Sequence, residues 1–179
     1  MKEVYTSAWF PENSLQGSRW DRLADSSRLW VYVADRLLSQ EECDQAAEVL
    51  EAFTSEWAAH GSDLTASWKL QGARVVVIGL DETQAGASGC SIDASVHCMQ
   101  RLGQMGEPLV DYLRRDQVLY RSAGKDAWEH ANLSNFWMSR KAGLVNDQTD
   151  VVNALCANKG EWETACYHPF HASWHNAMW

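Results

Sequence analysis

The stretch Gly86-Ala87-Ser88-Gly89-Cys90-Ser91-Ile92-Asp93-Ala94-Ser95-Val96-His97 gathers several reactive side chains. A thiol, a carboxylate, an imidazole and three hydroxyls lie there within twelve residues, beside two glycines. Cys90 is read at or just before a helix start. Unpaired backbone N–H groups and the helix dipole favour a thiolate at such a place. The same N–H groups can hold an anion or a developing oxyanion. Gly86 and Gly89 allow a substrate close to the backbone, with Ser88 and Ser91 beside it. Cys90, Asp93 and His97 recur at helical spacing and share a face, with Ile92, Val96 and Met99 opposite. Cys90 and His97 are two turns apart, about 10 Å along the axis, so they do not touch. Asp93 and His97, one turn apart, can pair. A base for Cys90 therefore comes from elsewhere, and His60 and His175 are the candidates. The plain alternative is a buried, inert cysteine in a glycine-rich turn.

A second group is His168-Pro169-Phe170-His171-Ala172-Ser173-Trp174-His175. Three histidines at this spacing can ligate zinc or iron. No HExxH motif accompanies them, and an aromatic tail docked on the core explains them as well. We expect no metal and no cofactor. Asp81-Glu82 ends a strand-like run and has the form of an acid/base pair or a solvated turn. Arg36, after the first strand, can clamp a carboxylate or phosphate, or pair with Asp35 or Asp81. Trp57 and Trp174 are candidate pocket walls.

These residues need positioning elements. Leu29 to Ala34 reads as a strand. Ser39-Gln40-Glu41-Glu42 reads as a capping box, opening a helix to about Ala59 with Cys43, Ala46, Ala47, Leu50, Phe53 and Trp57 on its apolar stripe. Leu64 to Leu70 and Ala73 to Leu80 read as two strands joined at Gln71-Gly72, the second continuously apolar and so central. A loop from Thr83 to Gly89 leads into a helix from about Ser91 to Gln104. Gln117 to Arg121 reads as a strand and Ala127 to Lys141 as a helix. The pattern predicts an α+β fold, with helices on one face of a mainly antiparallel sheet. Residues 1–27 form an irregular arm with Trp9, Phe10 and Trp20, and residues 28–179 a single domain.

The chain has 179 residues, a formal charge of −9 and 46% hydrophobic residues. An acidic surface repels phosphate backbones, which excludes general nucleic-acid binding. Val75 to Leu80 is too short to cross a bilayer, so no membrane is expected. Five cysteines without a CxxC pair point to free thiols and a cytoplasmic protein.

Trp30-Val31-Tyr32, Arg36, Trp57 with His60, Asp81-Glu82, Ala87-Ser88-Gly89-Cys90-Ser91-Ile92-Asp93, Ser95-Val96, Asn153 and Ser173-Trp174-His175 together resemble a small uncharacterised bacterial family often labelled "ABC transporter ATPase". The resemblance covers about residues 28–176. It implies that Arg36, His60, Asp81, Cys90, Asp93 and His175 share one site, and it implies no reaction. The ATPase label requires a GxxxxGK[ST] phosphate loop, which this sequence lacks. The arm 1–27, the Gly124 to Leu144 region and the ending Asn-Ala-Met-Trp depart from the family pattern. They imply a specialised member, in secondary metabolism, with its own substrate.

The leading expectation is a cysteine-dependent transferase or hydrolase acting on a small anionic or acyl molecule. Cys90 is its nucleophile, His60 or His175 its base and Asp93 an orienting group. Arg36, Asp81, Ser88, Gly89, Ser91, Trp57 and Trp174 bind substrate. Two rivals stay open. One is a metalloenzyme drawing on His60, His168, His171, His175, Asp81 and Cys90. The other is a non-catalytic module that binds a ligand or partner.

Overall fold

A computed structural model of the protein describes residues 4–5, 14–59, 61–83 and 85–178. In chain order the strands are β1 (Val4–Tyr5), β2 (Ser14–Gln16), β3 (Arg28–Val33), β4 (Ala58–Ala59), β5 (Ser62–Asp63), β6 (Thr65–Gln71), β7 (Val75–Asp81), β8 (Gln117–Arg121), β9 (Trp128–Asn132), β10 (Asp150–Val152) and β11 (Tyr167–Pro169). The helices are α1 (Gln40–Glu56), α2 (Gly89–Met105), α3 (Leu133–Lys141) and α4 (Lys159–Ala165). The fold is α+β with antiparallel sheets, as expected. One sheet runs β2-β6-β7-β3, a second runs β1-β9-β8-β10-β11, and β4 and β5 pair with each other.

Alternation along the strands fixes the layers, because successive side chains leave a strand on opposite faces. In the first sheet Tyr32, Ala66, Trp68, Leu70, Val76, Ile78 and Leu80 face α1 and α2. Leu29, Val31, Val33, Val75 and Val77 face the other way, onto Leu119, Trp128 and Val152 of the second sheet. The second sheet's outer face carries Val118, Tyr120 and Val151, covered by Phe136 of α3 and by Phe170. The order is thus helices, sheet, sheet, helix. β7 is apolar on both faces because it is central in its sheet and covered on both sides. Among the described residues no helix is long and apolar enough to cross a membrane.

The Gln71-Gly72-Ala73-Arg74 turn joins β6 to β7 with positive φ at both central residues, 61° at Gly72 and 49° at Ala73. That is the mirror-image turn whose twist suits a hairpin. The arm is less separate than its irregular sequence implies. β2 pairs with β6, and Trp20 and Leu23 lie over Gly79 in the core between the sheets. Trp9 and Phe10 lie outside the described residues.

Two sequence expectations are corrected. The first helix stops at Glu56, short of Ala59, and Ala58–Ala59 is strand β4. Residues 127–141 are not one helix: Trp128–Asn132 is a strand paired with β8, and α3 begins only at Leu133. Asn132 caps α3, its side chain accepting from Asn135 N–H at 2.8 Å. The asparagine that weakens a helix interior is here its start.

α2 and the chain that follows it meet at Gly103. A Cβ there would stand 2.2 Å from the carbonyl oxygen of Val110, whose N–H donates to the Gly103 carbonyl at 2.9 Å. Gly103→Ala is expected to cost about 1–3 kcal/mol, because backbone must move on one side or the other. Urea unfolding measures it, with Gly89→Ala as the control. A Cβ at Gly89 meets nothing within 4 Å, so that variant keeps wild-type stability. Equal midpoints for the two variants would refute the packing argument.

Candidate functional site

α2 starts at a capping box. Ser88 Oγ accepts from Ser91 N–H at 3.2 Å, and Ser91 Oγ accepts from Ser88 N–H at 2.7 Å. Ser88 and Ser91 thus serve the helix start itself, and Ser91 is buried. Cys90 follows the cap and is exposed, whereas Cys43, Cys98, Cys156 and Cys166 are buried. Burial pushes the thiols of Cys43 and Cys98 up to about 11 and that of Cys156 up to about 12, which keeps them protonated. Cys90 is the one thiol open to a reagent in the folded chain. The N–H groups of Gly89 and Cys90 have no partner among the described residues, so both remain available to an incoming oxygen.

Trp57 fixes this helix start against α1. Its ring is buried, its Nε1–H donates to the Ser91 carbonyl at 2.9 Å, and Trp30 packs edge-on at 5.8 Å. α1 and α2 therefore run antiparallel, with the end of α1 beside the start of α2. Between them lies a groove of about 540 Å³. Phe53 of α1, Trp57 just past its end, and Ala94 and Cys98 of α2 supply its apolar lining, and Glu56, His97 and Arg101 its polar rim. Cys90, Ala94, His97 and Arg101 follow one another at helical spacing, so Cys90 continues the groove-facing stripe of α2 by one turn. Arg101 and Glu56 were missed by the sequence reading. The signal for Arg101 was its spacing from Cys90 and His97. Glu56 had no such signal, because its role depends on how α1 meets α2.

Several expected site residues lie elsewhere. Arg36 sits at the opposite end of α2: a Cβ at Gly106, which caps that end, would meet its guanidinium at 2.7 Å. Sixteen residues of helix separate Gly106 from Cys90, roughly 24 Å. The guanidinium donates to both carboxylate oxygens of Glu42, at 2.9 and 2.5 Å, and to the carbonyls of Leu37 and Pro108. Arg36 is a structural clamp on the start of α1, with Glu42 as its partner in place of Asp35 or Asp81. Asp81 is not remote but is occupied: its Oδ1 accepts from Thr83 N–H at 2.9 Å and closes the turn after β7, whose Glu82 accepts from Ala87 N–H at 3.2 Å beside the start of α2. The bond from Thr83 holds the Asp81 carboxyl below the usual range.

His175 and Trp174 are also corrected. His175 is 1% exposed and packs edge-on against Phe136 at 5.5 Å, in the layer outside the second sheet. Both sheets stand between it and α2, and stacked sheets are about 10 Å apart. It does not serve Cys90. Trp174 stacks on it at 3.8 Å, and Ser173 Oγ donates to the Phe170 carbonyl at 2.8 Å. Ser173-Trp174-His175 is a plug on the outer core. The histidines of the tail do not converge. His168 Nε2 lies 3.3 Å from Asn153 Nδ2, and His171 Nδ1 lies 2.9 Å from the Asp147 carbonyl. Among the described residues no three histidine, cysteine or acidic side chains are grouped to hold a metal.

Asp93 and His97 are exposed and form no ion pair with each other. His60 lies outside the described residues, between β4 and β5 in sequence; β4 itself lies against α2. The structure thus brings together Cys90, Ser88, Gly89, Ser91, Asp93 and Trp57, and leaves Arg36, His175 and Trp174 out. No protein-family model, curated protein or solved structure matches this chain.

Proposed function

We propose that this protein is a cysteine-dependent enzyme of the acyl-transfer or hydrolysis type, whose small-molecule substrate lies in the α1–α2 groove. The observation that carries the reading is the position of Cys90. It is the exposed thiol of the chain, it follows a capped helix start, and it continues the stripe that lines the groove. Its thiolate attacks the acyl carbon, a C–S bond forms, and the leaving group departs with a proton. Water then cleaves the thioester and frees the acid and the thiol. The unpartnered N–H groups of Gly89 and Cys90 receive the developing oxyanion. Trp57 walls the site and holds the helix start in register. His60 is retained as the base, since His175 is remote.

The test is alkylation of the native protein across pH, read cysteine by cysteine by peptide mass spectrometry. We expect Cys90 alone to be labelled, faster near neutral pH than a free small-molecule thiol, and more slowly once His60 is replaced. Labelling of Cys90 no faster than a free thiol, with His60→Ala without effect, would remove the nucleophile. The groove would then stand as a binding site without covalent chemistry.

A further inference from the structure

The rim charges of the groove are separated along its length, and that separation selects a ligand. Glu56 precedes Trp57, whose indole reaches Ser91, so this carboxylate stands at the Cys90 end. Asp93 is exposed one turn beyond Cys90 at the same end. Arg101 lies ten residues past Ser91, roughly 15 Å along the helix axis, with His97 between. A helical side chain leans toward the N-terminus of its own helix, so on these antiparallel helices both the Glu56 carboxylate and the Arg101 guanidinium lean toward the middle of the groove. Among the described residues neither the Glu56 carboxylate nor the Arg101 guanidinium has a hydrogen-bond or ion-pair partner. Opposite charges that face one space without meeting complement a ligand carrying both charges.

We infer that the groove binds a short apolar peptide with free ends. Its ammonium lies toward Glu56 and Asp93 and its carboxylate toward Arg101. Glu56 and Arg101 line one groove, and extended chain spans about 3.3–3.6 Å per residue, so the fit is to a peptide of about three residues. Phe53, Trp57 and Ala94 supply the apolar lining for its side chains. His97 stands where a middle peptide group passes. The peptide's first carbonyl then comes to the Cys90 end, next to the N–H groups of Gly89 and Cys90. The inference rests on the groove being the ligand site of the proposed enzyme, and not on the reactivity of Cys90.

The experiment is an NMR titration of the full chain with the tripeptide Leu-Ala-Leu, its N-acetylated form and its C-terminal amide. The reporter is the Trp57 indole N–H, assigned with Trp57→Phe. We expect saturable shifts at millimolar peptide, and affinity at least about threefold weaker when either end is blocked, the scale of an exposed ion pair. Glu56→Gln should remove the preference for a free amine, and Arg101→Gln the preference for a free carboxylate. Cys90→Ala should bind like wild type, which separates this inference from the nucleophile reading. No shift of the Trp57 signal, or equal affinity for free and blocked peptides, overturns it even where Cys90 proves reactive.

Discussion

Trp57→Ala should destabilise the protein by about 3–5 kcal/mol, the usual cost of deleting a buried indole. The ring is 3% exposed, packs against Phe53 at 5.1 Å and Trp30 at 5.8 Å, and ties the start of α2 to the end of α1. Trp57→Phe separates the two roles. It keeps an aromatic ring in the core and loses the bond to the Ser91 carbonyl, worth about 1 kcal/mol. Ser91 is the next residue after Cys90, so the loss should reach the thiol. Urea unfolding gives the stability of both variants, and the alkylation rate of Cys90 reads the site. The expected pattern is a large stability loss in the alanine variant and a changed Cys90 rate in both. A Trp57→Ala unfolding free energy within about 1 kcal/mol of wild type would mean that the indole does not hold the two helices together.

Local features of this fold were legible in the sequence. The Ser39–Glu42 capping box is present, with Ser39 Oγ accepting from Glu42 N–H at 3.2 Å, and α1 begins at Gln40 as the motif demands. The continuous apolar run Val75–Leu80 is a central strand, and Gln117–Arg121 is a strand with the expected bounds. Each of these is decided within a few residues. What failed depends on distant partners. Arg36 reads as an anion clamp until Pro108, 72 residues away, folds under its guanidinium. His175 reads as a base until Phe136 and the second sheet enclose it. The second sheet itself was not separated from the first, because its strands are short and its edges, β1 and β11, carry little periodic signal. For the site, the helix start and Trp57 were legible. The groove was not, because a groove belongs to a pair of helices and neither helix specifies it alone.

His175 should make the protein acid-sensitive well above the range where carboxylates titrate. Burial among Phe136, Trp174 and the outer core holds its imidazole down to about 4, from an ordinary value of 6.5. Its Nδ1 has no hydrogen-bond partner among the described residues, so nothing nearby compensates a charge on the ring. The unfolded chain binds the proton below 6.5, whereas the folded chain resists it until about 4. Stability is therefore full above pH 6.5, falls as pH drops from 6.5 to 4, and loses nothing more from this group below that. The loss across the window should be about 3 kcal/mol. Glu42 acts in a lower window. Arg36 holds its carboxyl down to about 2, so its contribution is kept above 4.5 and lost between 4.5 and 2. Urea unfolding at intervals from pH 7.5 to 4.5 therefore reads His175 ahead of the ion pair. His175→Phe keeps an aromatic ring against Phe136 and removes the titrating group. It should be at least as stable as wild type at neutral pH, since an unpaired buried nitrogen is lost. Its stability should stay level down to pH 4.5. A wild-type slope in the phenylalanine variant would move the acid sensitivity to another group. A flat wild-type profile would mean that the Ser173-Trp174-His175 plug opens to water before the ring has to be protonated inside it.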